Sequence, residues 1–317
     1  MTVDRYDRPI INLRIAVTQQ CNLECFYCHR EGQFHSSICM TPKEIAEIAS
    51  ISTEFGVRKV KITGGEPLLR HDLCEIIHGI SEVRGIDEIS MVTNGRLLTS
   101  EKAVELKRNG LARVNISLPS KKENVYRRVT GASLSEATVG IDSAIKAGLD
   151  PVKINTVVMR GINDLEVNQL VEFVEKLGVT LQLIELEPVN IDGKSYADYH
   201  YPLDEIEKSI ASIARSVETR RYMQMRRVYT LNRARVEIVK PIENTEFCMH
   251  CTRIRLTSNG MLKPCLMRND NLVDILAPLR MHTSQDELRA IFSKAIELRE
   301  PYWKPAHVIQ QPLQSKQ

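Results

Sequence analysis

The chain has 317 residues, of which 43% are hydrophobic and 26% are charged, a composition that excludes intrinsic disorder as its main state. Its 43 Lys and Arg residues against 40 Asp and Glu leave a formal charge of +3, too small for the broad basic surface that binds nucleic acid. No apolar run is long enough to cross a membrane, and the first eight residues contain no apolar signal segment. The sequence therefore predicts a cytoplasmic globular protein with neither a nucleic-acid nor a membrane partner.

Short runs rich in Val, Ile and Leu predict six buried strands, at residues 11–17, 59–63, 88–93, 113–118, 152–158 and 180–186. Segments with helical periodicity lie between them, for example at residues 41–55, 135–147 and 164–177. Strands that alternate with helices predict a parallel sheet. Six such units are too few for a closed eight-stranded barrel, which leaves an open partial barrel or a doubly wound sheet.

The pattern changes after about Tyr201 and indicates a smaller second domain of the α+β type. The elements expected there are a helix at 203–214, a basic stretch at 220–227, a strand at 235–239 and a last helix at 285–299. We place the boundary at residue 220, so that residues 1–220 form the first domain and residues 221–317 the second. The tail from Glu300 is expected to fray at its end.

Eight cysteines in a chain from a reducing compartment indicate metal binding or catalysis rather than disulfides. Cys21, Cys25 and Cys28 follow the first predicted strand, at the edge of the sheet where loops converge. Three thiolates would leave one iron of a [4Fe-4S] cluster free to bind another molecule. The alternative is a structural zinc ion completed by His29 or His35.

The second cysteine group is Cys248, Cys251 and Cys265. Its spacing favours an auxiliary iron–sulfur cluster, with a zinc ribbon completed by His250 as the alternative. Arg253 and Arg255 lie between these ligands, and guanidinium groups suit the bidentate recognition of phosphate or carboxylate. If the two arginines serve no ligand, they share a solvated strand face.

The CxxxCxxC spacing of the first group, with Tyr27 before its last cysteine, resembles the motif of the radical SAM superfamily. Thr63-Gly64-Gly65-Glu66-Pro67, at the end of the second predicted strand, resembles the GGEP segment of that superfamily. The resemblance implies an open, six-unit TIM-like partial barrel that binds S-adenosylmethionine at the open iron and cleaves it to a 5'-deoxyadenosyl radical. By matching position, Tyr27, Gly65 and Ser117 contact S-adenosylmethionine.

Both cysteine groups, together with Thr252-Arg-Ile-Arg255, Thr93-Asn94-Gly95 and Gly161-Ile-Asn163, resemble the GTP 3',8-cyclases of molybdenum cofactor biosynthesis. Tyr27-Cys-His-Arg-Glu-Gly32 is similar to the archaeal branch of that family. The resemblance implies a lyase in which the radical removes the 3' hydrogen of GTP. The sugar radical then bonds to guanine C8, and reduction gives 3',8-cyclo-7,8-dihydro-GTP.

The resemblance also implies two [4Fe-4S] clusters, one on each cysteine group, and assigns Arg253 and Arg255 as catalytic residues. The implied contacts to GTP are Arg14, Lys61, Lys153, Arg253, Ile254 and Arg255, with Lys59 as a further candidate. The implied partners are GTP, an electron donor such as a ferredoxin or flavodoxin, and cyclic pyranopterin monophosphate synthase as the next enzyme. The oligomeric state stays open, a homodimer included.

Four features depart from the family pattern. Val92 stands where the family has a threonine that contacts the nucleotide, Gln182 where it has a substrate arginine, and Glu187 where it has a methionine near the cofactor. The sequence also lacks the terminal Gly-Gly pair of better-studied members. Two other functions compete: another radical SAM enzyme that acts on a peptide or a different small molecule, and a cluster carrier without catalysis.

Overall fold

Apolar runs and helical segments alternate through most of the chain in the computed structural model, which describes residues 2–304. The tail from Glu300, which is expected to fray, and the segment where better-studied family members have a Gly-Gly pair lie largely outside these residues. Within them, the strands are β1 Asn12–Ala16, β2 Lys59–Thr63, β3 Glu88–Thr93, β4 Arg113–Ser117, β5 Val152–Val158, β6 Thr180–Glu185, β7 Ser216–Arg220, β8 Arg226–Thr230, β9 Arg235–Val239, β10 Arg253–Leu256, β11 Met261–Lys263 and β12 Val273–Asp274.

Helices connect the strands at α1 Pro42–Glu54, α2 Leu73–Ser81, α3 Ser100–Arg108, α4 Glu123–Thr130, α5 Leu134–Lys146, α6 Val167–Leu177, α7 Gly193–Tyr199, α8 Asp204–Ile213, α9 Thr245–Met249, α10 Leu276–Arg280 and α11 Gln285–Glu297. α1 begins where expected, because Thr41 and Glu44 form a capping box around Pro42. α6 ends at Gly178, whose φ of 70° is left-handed and turns the chain back toward β6. None of the helices in residues 2–304 is long and apolar enough to span a membrane.

All the strands join one sheet, in the order β12-β11-β10-β1-β2-β3-β4-β5-β6-β9-β8-β7. The strands from β10 through β1–β6 to β9 run parallel, and antiparallel strands complete both edges. The predicted six strands and the open parallel architecture are confirmed. The later strands extend both edges of this sheet, with β10 beside β1 and β9 beside β6. The domain boundary at residue 220 stays a prediction.

Alternating side chains divide the sheet into an apolar face and a polar face. On β1, Leu13 and Ile15 are fully buried in the hydrophobic core, whereas Arg14 between them points to the opposite face. β2 repeats this pattern around Lys61. The apolar face packs against the helices, so the polar side chains of neighbouring strands gather on the inner face of the sheet.

A close contact with helix α5 supports the turn that follows β3. The turn at Gly95 follows β3, and a Cβ added to Gly140 of α5 would lie 2.1 Å from the carbonyl oxygen of Gly95. A Cβ at Gly79 of α2 would lie 3.4 Å from the Cβ of Ala46, which is an ordinary contact. Gly140 is therefore required by packing, whereas Gly79 is not.

We expect Gly140→Ala to lower the free energy of unfolding by about 1–3 kcal/mol, because the added methyl group pushes α5 away from the turn after β3. Gly79→Ala is the matched control. It should leave stability unchanged or raise it by up to about 1 kcal/mol, since alanine is the better helix former. Denaturant unfolding of both variants measures the difference, and equal stability of the two would contradict this account.

Candidate active site

The inner face of the sheet encloses a cavity of about 300 Å³. Side chains from β1 to β6 and from β8 to β10 line it, which shows that the sheet curves around it. The cavity brings together the following residues that the sequence singled out: Cys21, Cys25, Cys28, Cys248, Cys251, Cys265, Tyr27, Gly65, Ser117, Arg14, Lys61, Lys153, Arg253 and Arg255. The side chain of Ile254 lies instead in the hydrophobic core, and Lys59 is half-exposed beside Glu88.

The two cysteine groups lie at opposite ends of the parallel strands. We call these the carboxyl edge and the amino edge of the sheet. Cys21, Cys25 and Cys28 follow the carboxyl end of β1. Cys251 precedes the amino end of β10, which is parallel to β1, and Cys265 follows β11, which is antiparallel to β10. The cavity therefore extends through the inside of the sheet from one cysteine group to the other.

Gly64 and Gly65 allow the first cysteine loop to pack against the end of β2. The N–H of Gly65 donates to the carbonyl oxygen of Thr18 at 2.8 Å, and the N–H of Glu66 donates to that of Gln20 at 2.7 Å. A Cβ at Gly65 would lie 2.1 Å from the Gln20 oxygen. The two glycines thus permit close approach to the segment that leads into Cys21, in addition to lining the cavity.

Glu66 connects this loop to the end of β3. Its carboxylate accepts hydrogen bonds from the hydroxyl of Thr93 at 2.6 Å and the N–H of Asn94 at 2.7 Å. The amide of Asn94 in turn donates to the Asn22 side chain at 2.7 Å. Asn22 directly follows Cys21, so the GGEP and Thr93-Asn94-Gly95 segments together position the first cysteine loop.

The cysteines of both groups are suited to ligate iron. Burial, and then the neighbouring Cys28 and Cys21, raise the pKa of Cys25 to about 12, so its thiolate needs a strong positive partner such as iron. Each group has three cysteines, one fewer than the four that usually hold a [4Fe-4S] cluster, so a cluster on either group would have one open iron.

Basic side chains crowd the middle of the cavity. Arg14 on β1 is in register with Lys61 on β2 and with Arg255 on β10, so the three project side by side. We call the whole set the cationic cluster: Arg14, Lys61, Arg113, Lys153, Arg226, Arg253 and Arg255. Burial lowers the pKa of Lys61 well below its usual value, and its cationic neighbours, first Arg113, lower it further.

Three carboxylates pair with members of the cationic cluster, and one of them, Glu88, lies 2.7 Å from Arg113. Glu31 accepts from the Nη1 of Arg255 at 2.6 Å and lies 3.6 Å from the Nε of Arg14. Burial alone would raise the pKa of Glu31, but these two arginines outweigh it and lower the pKa to about 2. Glu237, fully buried on β9, forms an ion pair with Lys153. The Glu31 and Glu237 carboxylates are ionised at neutral pH.

A buried arginine pair supports the second cysteine group. Arg299 donates from Nη2 to the carbonyl oxygen of Cys251 at 2.6 Å, and Arg8 donates from Nη1 to that of Cys248 at 2.9 Å. Asp4 lies 2.8 Å from Arg8 and 3.0 Å from Arg299 and joins the two. Burial raises the pKa of Cys251, but nearby Arg299 and Arg8 more than offset it, which favours the thiolate that iron binds.

Sequence reasoning missed several of these residues. Glu237 is flanked by the apolar Val236 and Ile238 in the strand at 235–239, and a charge inside a buried strand is a signal that could have found it. Arg226 belongs to the basic stretch at 220–227, to which the sequence analysis assigned no function. Arg299 gave no signal, because its partners are backbone carbonyl groups 48 and 291 residues away. Val92, Gln182 and Glu187, which depart from the family pattern, all line the cavity.

Comparison with known proteins places the chain in a family. Residues 15–174 match the model of the radical SAM superfamily, and residues 179–305 match that of the C-terminal domain described as Molybdenum Cofactor Synthesis C. The structure is similar to that of Streptococcus suis SuiB bound to S-adenosylmethionine, with a TM-score of 0.65 and 18% identity. That similarity covers 85% of this chain and 64% of SuiB, and it shows the shared fold. The fold and the first cysteine loop are thus those of a radical SAM protein.

Full-length relatives define the family more narrowly. A probable GTP 3',8-cyclase of Methanococcus aeolicus is 45% identical over 95% of this chain and 99% of its own length. A probable GTP 3',8-cyclase of Pyrococcus abyssi is 46% identical over 96% of this chain and 100% of its own length. The chain belongs to the GTP 3',8-cyclase family, and its resemblance to archaeal members is confirmed.

We expect Arg299→Met to destabilise the second cluster selectively. The substitution removes the hydrogen bonds to the carbonyl oxygens of Cys251 and Arg8 and leaves an incompletely paired carboxylate at Asp4, a change that costs about 3–5 kcal/mol at buried sites. Iron and sulfide content should fall by about half, and the electron paramagnetic resonance signal of the second cluster should be lost.

Arg289→Met is the control, since Arg289 is an arginine of α11 whose side chain is 41% exposed and pairs with Glu54. It should keep both clusters. An Arg299→Met protein with full iron content and unchanged spectra would contradict the positioning role of Arg299.

Proposed function

We propose that this chain converts GTP into 3',8-cyclo-7,8-dihydro-GTP, the first step of molybdenum cofactor biosynthesis, inside the cavity of its curved sheet. The observation that carries the proposal is the order of groups along this cavity: a cysteine group at each edge and the cationic cluster between them. Family membership supplies the reaction, and the residues below are our assignment of its parts.

At the carboxyl edge, Cys21, Cys25 and Cys28 would hold the first [4Fe-4S] cluster. Tyr27 and Gly65 line the cavity beside it and are assigned to S-adenosylmethionine, together with Ser117 at the end of β4. When bound, the cluster and S-adenosylmethionine supply the 5'-deoxyadenosyl radical that removes the 3' hydrogen of GTP. The hydrogen-bonded network of Glu66, described above, holds this loop in place before the cofactor binds.

In the middle of the cavity, the cationic cluster would bind the triphosphate. The cluster has seven basic side chains against the carboxylates of Glu31, Glu88 and Glu237, so positive charge is in excess there. A triphosphate carries about four negative charges and relieves this repulsion, and buried charge pairs are screened little by salt. Arg14, Lys61 and Lys153 are assigned to the phosphates.

At the amino edge, Cys248, Cys251 and Cys265 would hold the auxiliary cluster, whose open iron is the assigned site for guanine. Arg253 and Arg255 extend from β10 into the cavity between this edge and the phosphate site. They are assigned to orient GTP and to stabilise charge during cyclisation. The Ile254 side chain lies in the core, so a contact from this residue would have to come from its backbone.

The remaining partners follow from the chemistry. Both clusters require a low-potential one-electron donor, for which we propose a ferredoxin or flavodoxin. The product is a cyclised nucleotide that the next enzyme, cyclic pyranopterin monophosphate synthase, consumes. Reduced thiols and oxygen-sensitive clusters favour the cytoplasm as the compartment.

Two substitutions separate the halves of the site. Cys25→Ala should abolish formation of 5'-deoxyadenosine, because the first cluster loses a ligand. Arg253→Ala should keep S-adenosylmethionine cleavage but reduce formation of the cyclised product about 10- to 100-fold, because a charged contact to GTP is lost. Mass spectrometry of anaerobically reconstituted protein with S-adenosylmethionine, reductant and GTP measures both products.

Wild-type protein with both clusters loaded is the reference. If it forms 5'-deoxyadenosine but no cyclised isomer of GTP, the substrate is another molecule and the proposed function is wrong. If it forms neither product, the cluster-carrier function is favoured. Normal product from the Cys25→Ala variant would remove the role assigned to the first cysteine group.

A further inference from the structure

Glu237 has more basic partners than its charge requires. Besides Lys153, the Nη1 of Arg226 lies 3.3 Å from its Oε1, and the Nη1 of Arg220 lies 3.7 Å from its Oε2. Glu237 is 0% exposed, and burial raises its pKa, but the cations outweigh this effect and hold the pKa below the usual range. One carboxylate neutralises one cation, so this wall of the cavity keeps an excess of positive charge without a bound anion.

Arg226 is the arginine of this group that is held inside the cavity. It is 7% exposed, and its Nη2 donates to the side-chain oxygen of Gln224 at 2.6 Å. Its guanidinium carbon lies 5.6 Å from the centre of the Phe247 ring, which supports it from one side. Within residues 2–304, the Nε of Arg226 is buried and has no hydrogen-bond partner. A buried donor without a partner is costly, and an acceptor on a ligand would satisfy it.

Arg226 on β8 lies in the same wall of the cavity as Glu237 on β9 and Gln182 on β6. β8 pairs with β9 so that Val228 is opposite Glu237, and Glu237 is opposite Gln182 on β6. Gln182 lines the same cavity but is neutral, so it adds no charge to this wall. Arg226 also acts on the other side of the cavity, where its charge is among those that lower the pKa of Arg14 after burial itself. Such mutual repulsion is relieved when a polyanion binds between the cations.

We propose that Arg226 is a phosphate-binding residue of this site and contacts the triphosphate of GTP from the β8 side of the cavity. This inference rests on the proposed function and adds a substrate contact from a strand outside the six-unit barrel. Neutralising Glu237 does not by itself require Arg226, because Lys153 already pairs with that carboxylate. The planar fork of arginine suits two phosphate oxygens at once.

The test compares Arg226→Gln with Arg227→Gln. Arg227 is the next residue on β8, its side chain is 58% exposed, and it pairs with Glu207 away from the cavity. Equilibrium binding of GTP, GDP and GMP is measured on anaerobic protein in which both clusters are confirmed by iron content. Arg226→Gln should weaken GTP binding about 10- to 100-fold and GMP binding by much less. Arg227→Gln should bind all three nucleotides like the wild type.

Arg226→Lys makes the test independent of folding defects. It keeps the charge and loses the fork, so its affinity for GTP should lie between those of the wild type and Arg226→Gln. GTP binding by Arg226→Gln within twofold of the wild type would overturn the inference. So would an equal loss for GTP and GMP, or a loss in Arg226→Lys as large as in Arg226→Gln, because each indicates a structural role. Failure of the proposed function shows instead in the wild type, as GTP binding without a cyclised product.

Discussion

Repulsion between like charges is the constraint on which the site depends. Arg14, Lys61 and Arg255 lie on adjacent strands in register, at positions where most sheets bury apolar or neutral side chains. Unpaired cations in such a place cost several kcal/mol each. The fold meets this cost in part with Glu31 and Glu237, and the triphosphate of the proposed substrate would meet the rest. A protein that only carried clusters would have no physical reason to keep so many cations inside its sheet.

Strand direction explains how two clusters serve one substrate. The first cysteine group follows β1, Cys248 and Cys251 of the second group precede β10, and these strands are parallel neighbours. Chemistry at the carboxyl edge is therefore separated from the second cysteine group by the length of the strands, and the cations on those strands fill the space between. The sheet acts as a frame that fixes the distance between the two reactive edges.

Many of the strands and the cysteine ligands could be predicted from the sequence, because strand periodicity and cysteine spacing are local signals. The bounds of β2, β3 and β5 match the predicted runs, and all the cysteines of both groups line one cavity. Contacts between distant segments could not be predicted. Nothing local indicates that β10 lies beside β1 or that Arg299 supports Cys251. The resemblance to the family assigned the main cations, but it gave no role to Arg226, which occupies the wall where Gln182 replaces a basic residue.

Glu31 shows how the two halves of the site are physically connected. It lies three residues after Cys28, in a left-handed turn, and its carboxylate contacts Arg14 on β1 and Arg255 on β10. Any phosphate that binds these arginines must share them with Glu31 or displace it. The backbone of Glu31 continues the first cysteine loop, so the loop that carries the first cysteine group is joined to the arginines of β1 and β10 through this one carboxylate.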